Sequence, residues 1–374
     1  VGADGGRFGS DSAARSSPWR RALANLALAG VGLLAGLALA EAALRVGGYS
    51  PGYVNPWGAI HRSDPQLGYL GKPNLEMRWA GHDFDIRVAH DERGFRRLEH
   101  QNTDAPHDLY ALGDSFTWGW GVDQGQGYVD LLIRRLPDYR VHNCGVIGYG
   151  TAGEYTLFTR FVKPSLKPGD LLLLAFYSND FGDNAQSAEV EPDGTITFRP
   201  EPRFSDRLVD SSYLFNLVAY RWNYAREACR IRRIQEEMRN LGSAPGGAKP
   251  LPDDDPRMLV TRHYLELFRA DAAAAGARFV VVYFSDPWEY DPDVRDDHPY
   301  LAANVAERLS FQRLAAGLEL ETIDLLEPFR SAFLDGSGEP LVYGPHDLHW
   351  TPRGHVVAAD AIAAGLGGVG GDAR

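Results

Sequence analysis

Cysteine is scarce: the chain of 374 residues has two, Cys144 and Cys229. Two cannot build a disulfide framework, no CxxC spacing offers zinc binding or thiol exchange, and both are expected to be unpaired. Basic residues are in deficit, 38 Lys and Arg against 50 Asp and Glu, for a net charge of −12, and no basic cluster stands out. A surface that holds nucleic acid through its phosphates needs such a cluster, so nucleic acid is excluded as a partner. No repeat of about 20–50 residues is visible, which excludes a solenoid or propeller. What remains, 44% hydrophobic and 24% charged residues, is ordinary globular composition and excludes a disordered chain. The length allows one large domain with insertions or two modest ones.

Charge is also missing from one stretch. The nineteen residues Ala22–Ala40 contain no ionisable group and one polar side chain, Asn25. As a helix at about 1.5 Å per residue they approach the thickness of a bilayer core. Arg7, Arg15, Arg20 and Arg21 precede the run and only Arg45 closely follows. The basic-residue bias therefore predicts one membrane span with a cytoplasmic N-terminus and the rest of the chain in the periplasm or outside the cell. The rival is a cleaved signal peptide, with Ala38-Leu39-Ala40 as its small-x-small site. The run exceeds the usual signal core and its pattern continues through Glu41-Ala42-Ala43-Leu44, which favours an anchor. A buried soluble helix is disfavoured by the lack of an amphipathic period.

Gly, Pro, Asn and aromatics dominate from Gly47 to Pro106, so that stretch reads as a loop-rich lead-in with a short hairpin. From Asp108 short apolar runs alternate with amphipathic ones, which predicts strand-helix repetition around a parallel sheet. The strands are expected at Leu109–Leu112, Arg140–Asn143, Leu171–Tyr177, Arg278–Phe284 and Glu321–Ile323. The helices are expected at Tyr128–Leu136, Gly153–Val162, Pro256–Ala275, Leu301–Ala316 and Pro352 to about Leu366. Between the third and fourth strands, residues from about 180 to 255 break the rhythm as an insertion with a helical run at Tyr213–Leu241 and a linker at Gly242–Asp255. Its Arg226, Arg230, Arg232, Arg233 and Arg239 read as a solvated helix face. The expected division is a tail at 1–21, an anchor at 22–46, the lead-in at 47–107 and a three-layer α/β domain at 108–370.

Gly113-Asp114-Ser115-Phe116 directly follows the first strand and precedes Thr117-Trp118-Gly119-Trp120-Gly121. A serine at the carboxyl end of a strand stands where open α/β sheets bind ligands, although Gly, Asp and Ser also make ordinary turns. Its hydroxyl needs a base, and a base needs an orienting group. Asp347-Leu348-His349-Trp350-Thr351-Pro352 offers both, on a loop before a helix with Pro at its first turn. The alternatives are a polar loop or a metal site of His346, His349, His355 and Asp347; with no HExxH-type spacing, no metal is expected. Oxyanion donors can come from Asn143-Cys144-Gly145-Val146-Ile147-Gly148, whose glycines expose N–H groups, and from the Asn179 amide in Tyr177-Ser178-Asn179-Asp180. Trp118, Trp120 and Trp350 can stack on a substrate or simply pack.

These four segments, in this order, resemble the short sequence blocks of the SGNH, or GDSL-type, hydrolase superfamily, over the chain from about Asp108 onward. The resemblance implies a flavodoxin-like α/β fold, Ser115 as nucleophile, His349 as general base and acid, and Asp347 as its orienting carboxylate. It implies an oxyanion hole of the Ser115 N–H, Gly148 and Asn179, with Gly148 preferred to Gly145 because it stands five residues after Asn143. Many members have two residues between the Asp and the His, whereas here only Leu348 intervenes; this form looks like that of membrane-anchored bacterial members, as does Asp91-Glu92-Arg93-Gly94-Phe95-Arg96. The expectation is an esterase needing no cofactor, acting on an acyl ester of an envelope polysaccharide or lipid. The same residues would serve an O-acyltransferase, and a non-catalytic envelope-binding module is the reading from another class.

Overall fold

A computed structural model describes residues 18–49, 57–80, 83–191, 193, 195–199, 211–222, 225, 226, 229, 248–291, 294, 299–344 and 347–367. The uncharged run lies inside helix α1 (Pro18–Val46). Its large apolar side chains from Leu23 to Leu39 are exposed, and none of the described residues covers them. It is long and apolar enough to cross a membrane.

The lead-in is more regular than its composition suggests. A single turn, α2 (Trp57–Ile60), is followed by two antiparallel pairs, β1 (His61–Asp64) with β2 (Gly68–Gly71) and β3 (Glu76–Ala80) with β4 (Asp85–Ala89). Its organising residue is Arg96, buried and without a carboxylate partner among the described residues, whose guanidinium donates to the carbonyls of Arg87, Gly119 and Val122 and lies over the Trp118 ring. Burial lowers its pKa to about 10, against the pull of Asp130 and Asp123.

Then come β5 (His107–Gly113), the one-turn α3 (Ser115–Trp118), α4 (Tyr128–Arg135), β6 (Tyr139–Gly145), α5 (Thr151–Phe161), β7 (Leu171–Tyr177) and α6 (Asp180–Ser187). The insertion adds the β8 (Ala188–Val190) and β9 (Ile196–Phe198) hairpin and the helix α7, described over 213–222. The chain returns through α8 (Pro256–Ala275), β10 (Arg278–Phe284), α9 (Pro287–Tyr290), α10 (Pro299–Gly317), β11 (Glu321–Asp324), α11 (Leu326–Phe333) and α12 (Pro352–Gly365). Most of the insertion's helical run and linker, including Arg230, Arg232, Arg233 and Arg239, lies outside the described residues; Arg226 is exposed.

The five expected strands form one parallel sheet in the order β11-β10-β7-β5-β6, the flavodoxin-like arrangement. Alternation along the strands makes the layers. Tyr110, Leu112, Leu172, Leu174, Val281 and Tyr283 pack with α5, α8 and α10, whereas Leu109, Ala111, Leu171, Leu173, Val280 and Val282 pack with α4, α11 and α12. Strand order reverses between β5 and β7, so the crevice for a ligand opens at their carboxyl ends. Cys144 is buried, Cys229 is exposed, and both are free.

Candidate active site

At the end of β5 the chain must turn sharply. Gly113 has no room for a side chain: a Cβ there would collide with Thr117 Oγ1. Asp114 caps the turn by accepting the Phe116 N–H at 2.9 Å, which sets Ser115 at the start of α3. The rest of Asp114 is buried, and desolvation raises its pKa despite the Phe116 N–H, the nearby His349 and the Asn179 amide.

The loop before α12 returns to the same place. His349 Nε2 is 2.7 Å from Ser115 Oγ, and His349 Nδ1 is 2.6 Å from Asp347 Oδ1. The same Asp347 oxygen accepts the His349 backbone N–H at 2.9 Å, so a single intervening residue suffices to fold the carboxylate back under the ring. Asp347 accepts on its other oxygen from Trp120 Nε1 at 2.7 Å. Burial alone would raise the Asp347 pKa, but the hydrogen bonds from His349 and Trp120 and the charge of His349 leave it below the ordinary carboxylate value. With Nδ1–H turned to a carboxylate, Nε2 presents its lone pair to the serine hydroxyl, which donates to it.

Of the three tryptophans, Trp118 and Trp350 are buried packing groups, and Trp118 donates to His90 Nε2 at 3.2 Å. Trp120 does what composition could not reveal. It stacks on His349 with centroids 4.6 Å apart and planes 15° from parallel, while holding Asp347. The loop that carries it is braced by Arg96 through the Gly119 and Val122 carbonyls. Neither residue has a motif that announces this; the signals were an arginine among aromatics and the indole N–H five residues after the serine.

The other two segments reach the same edge. Gly148 is exposed with φ +75°, a left-handed conformation that glycine adopts at low cost. Its carbonyl accepts from Tyr69 of the lead-in at 3.0 Å. Gly145 is buried and its N–H is already donated to Asn143 Oδ1 at 2.9 Å, so it has no donor to offer. Asn179 is exposed at the start of α6. The Gly148 and Asn179 loops are tied together beneath the surface: Thr151 Oγ1 donates to Asp180 Oδ2 at 3.1 Å and the Ala152 N–H to Asn184 Oδ1 at 3.0 Å. His355 takes no part in the group around His349; its Nδ1 accepts the Tyr128 N–H at 3.1 Å and starts α4. His346 lies outside the described residues.

Beside Gly148 a cleft is lined by Tyr69 of the lead-in, Tyr149, Asp183 and Gln186 of α6, and Phe198 of the insertion hairpin. Burial, with the repulsion of Asp114, raises the Asp183 pKa to about 7.

Among solved structures the chain resembles a lipolytic G-D-S-L family protein of Veillonella parvula, at 15% identity over 69% of this chain and 97% of that one, with a TM-score of 0.39. It resembles LAE5, an alpha/beta hydrolase from the metagenome of Lake Arreo, at 16% identity over 70% and 96%, with a TM-score of 0.39. It also resembles Axe2, an acetylxylan esterase of Geobacillus stearothermophilus, at 11% identity over 72% and 98%, with a TM-score of 0.40. Among curated proteins no sequence matches. Residues 111–357, which hold four strands of the sheet, the end of β5 and every loop of the carboxyl edge, match the GDSL-like lipase/acylhydrolase family, to which this chain belongs as an SGNH-type ester hydrolase.

Proposed function

We propose that the chain hydrolyses an acyl ester through an acyl-enzyme on Ser115. Ser115 Oγ attacks the acyl carbonyl carbon as its proton passes to His349 Nε2; the carbonyl oxygen, now anionic, is held by the Ser115 N–H, the Gly148 N–H and the Asn179 amide. The C–O bond to the alcohol breaks, and the alcohol leaves with the proton from His349. Water then gives a proton to His349 and attacks the acyl group; the acid departs and Ser115 Oγ recovers its proton. Asp347 keeps the imidazole in the tautomer this sequence needs and stabilises the imidazolium. The contact that carries the reading is Ser115 Oγ to His349 Nε2 at 2.7 Å, between residues 234 positions apart. This mechanism calls for no cofactor.

The proposed setting is the cell envelope: a tail at 1–21, a retained anchor at 22–46 with its N-terminus cytoplasmic, a lead-in at 47–107 and the catalytic domain at 108–370 outside. An O-acylated polysaccharide or a lipid is the nearest substrate there. Arg20 and Arg21 before the uncharged run support this orientation.

A fluorophosphonate probe on the purified full chain should label Ser115, with labelling abolished in Ser115→Ala and mostly lost in His349→Ala. Undiminished labelling of Ser115→Ala would assign the nucleophile elsewhere.

A further inference from the structure

The far end of α1 does not stop in solvent. Glu41, the first ionisable residue after the uncharged run, caps α7 as a side chain from another element: its carboxylate accepts the Tyr213 N–H at 3.0 Å, the Leu214 N–H at 2.8 Å and the Ser212 hydroxyl at 2.9 Å. One helical turn on, Arg45 donates to the Ser211 carbonyl at 2.9 Å and lies 4.6 Å above the Tyr213 ring. Tyr49 completes the joint by donating to Asn216 Oδ1 at 3.1 Å, and Asn216 is buried. The insertion helix is thus fixed to α1 at the level where its apolar run ends.

From that joint α7 carries an apolar face that the described protein leaves uncovered. Phe215, Val218 and Trp222 are 42%, 59% and 69% exposed. Their spacing of three and four residues puts them within about 60° of one another around the helix axis. This face begins where the exposed apolar surface of α1 ends, and Arg221 flanks the tryptophan. An apolar face with Trp, an adjacent cation and a position at the end of an uncharged helix is the composition of a helix lying in a membrane interface.

We propose that α7 rests in the interfacial layer of the bilayer that α1 crosses, with Phe215, Val218 and Trp222 as its lipid contacts. This rests on the reading of α1 as a retained span. It gives the insertion a role: α6 and the β8-β9 hairpin form one wall of the cleft beside Gly148, through Asp183, Gln186 and Phe198, and the same insertion continues to the membrane contact. The catalytic edge is then held at a fixed height above the lipid, suited to an ester presented at the membrane surface.

The test uses the full chain in phosphatidylcholine/phosphatidylglycerol vesicles containing shallow nitroxide-labelled lipid. In a Cys229→Ser background, Leu33→Cys and Val218→Cys each carry an environment-sensitive fluorophore. Expected is blue-shifted emission from both and quenching of the Val218→Cys probe by about half or more, as for a side chain at headgroup depth. A blue shift at Leu33→Cys without quenching at Val218→Cys overturns the proposal and leaves the anchor standing. Absence of the blue shift at Leu33→Cys overturns the anchor, and the proposal with it. An unquenched Val218→Cys that cross-links to another Val218→Cys assigns the face to a second copy of the chain instead.

Discussion

Strand β5 starts beside one buried aspartate and ends beside another, and the two meet opposite conditions. At the amino edge of the sheet, burial of Asp108 would raise its pKa, but Arg140 at 2.7 Å, Lys167 at 2.8 Å and His142 at 2.8 Å hold it well below the ordinary value. About 20 Å away, at roughly 3.3 Å per residue, Asp114 stands at the carboxyl edge with Glu154, Asp180 and Asp183. Burial and mutual repulsion push the pKa values of Glu154 and Asp180 far up, and both Glu154 oxygens and Asp180 Oδ1 have no hydrogen-bond partner among the described residues. One edge is neutralised for stability. The other keeps carboxyls that pair with no Lys or Arg among the described residues, where they shape turns and tie loops around a crevice, and perturbed groups gather at such places.

Exchanging Asp for its near-isosteric amide at three positions sharpens the contrast. The largest effect is expected for Asp347→Asn, which should cost about 10⁴ in kcat on p-nitrophenyl acetate with little change in thermal stability, by analogy with the same change in Ser-His-Asp proteases. A loss within about threefold would mean that another carboxylate orients His349. Next is Asp108→Asn, which gives up hydrogen bonds to charged groups and should cost about 2 kcal/mol of stability while kcat stays near wild type. Its sign in pH follows from the lowered pKa: the contribution is present above about pH 4, the ordinary carboxylate range, and is lost on acidification. Denaturant titrations of the solubilised chain at pH 7 and pH 3 measure it, and an equal deficit at both values would contradict the ion-pair account.

The smallest effect is expected at Asp183. An acid whose folded pKa is raised favours the folded state at low pH, and that advantage is lost as pH rises from about 4 to about 7. Asp183→Asn should therefore gain a few degrees in Tm at pH 8 relative to wild type and nothing at pH 3. A gain of the same size at both would show that packing, not ionisation, separates the two proteins.

Much of this was legible in the linear pattern. Leu171–Tyr177, Arg278–Phe284 and Pro256–Ala275 coincide with their expected bounds, because an uninterrupted apolar run buried on both faces and a capped helix with Pro at its first turn are local signals. The other expected strands and helices of the sheet layers differ by at most two residues at their ends. The lead-in was less legible, since its two hairpins acquire order by packing against the α/β part, Leu67 and Leu70 against its core and Trp79, Ile86 and Val88 against Trp118 and Ile147. The bond from Trp120 to Asp347 spans 227 positions, and no period or spacing encodes such a contact.

By itself the sequence determined the order and type of the elements, the uncharged helix, and the identity of a serine, a histidine and two amide-bearing loops at strand ends. Those follow from short-range periodicity and turn chemistry, which act within a few residues. Only the tertiary structure decided that Asp347 reaches His349 with one residue between them, that Gly145 has already spent its N–H, that Trp120 and Arg96 hold the loop, and that Glu41 caps α7. Each is a meeting of groups far apart in the chain or a choice among competing hydrogen-bond partners, and packing alone resolves it.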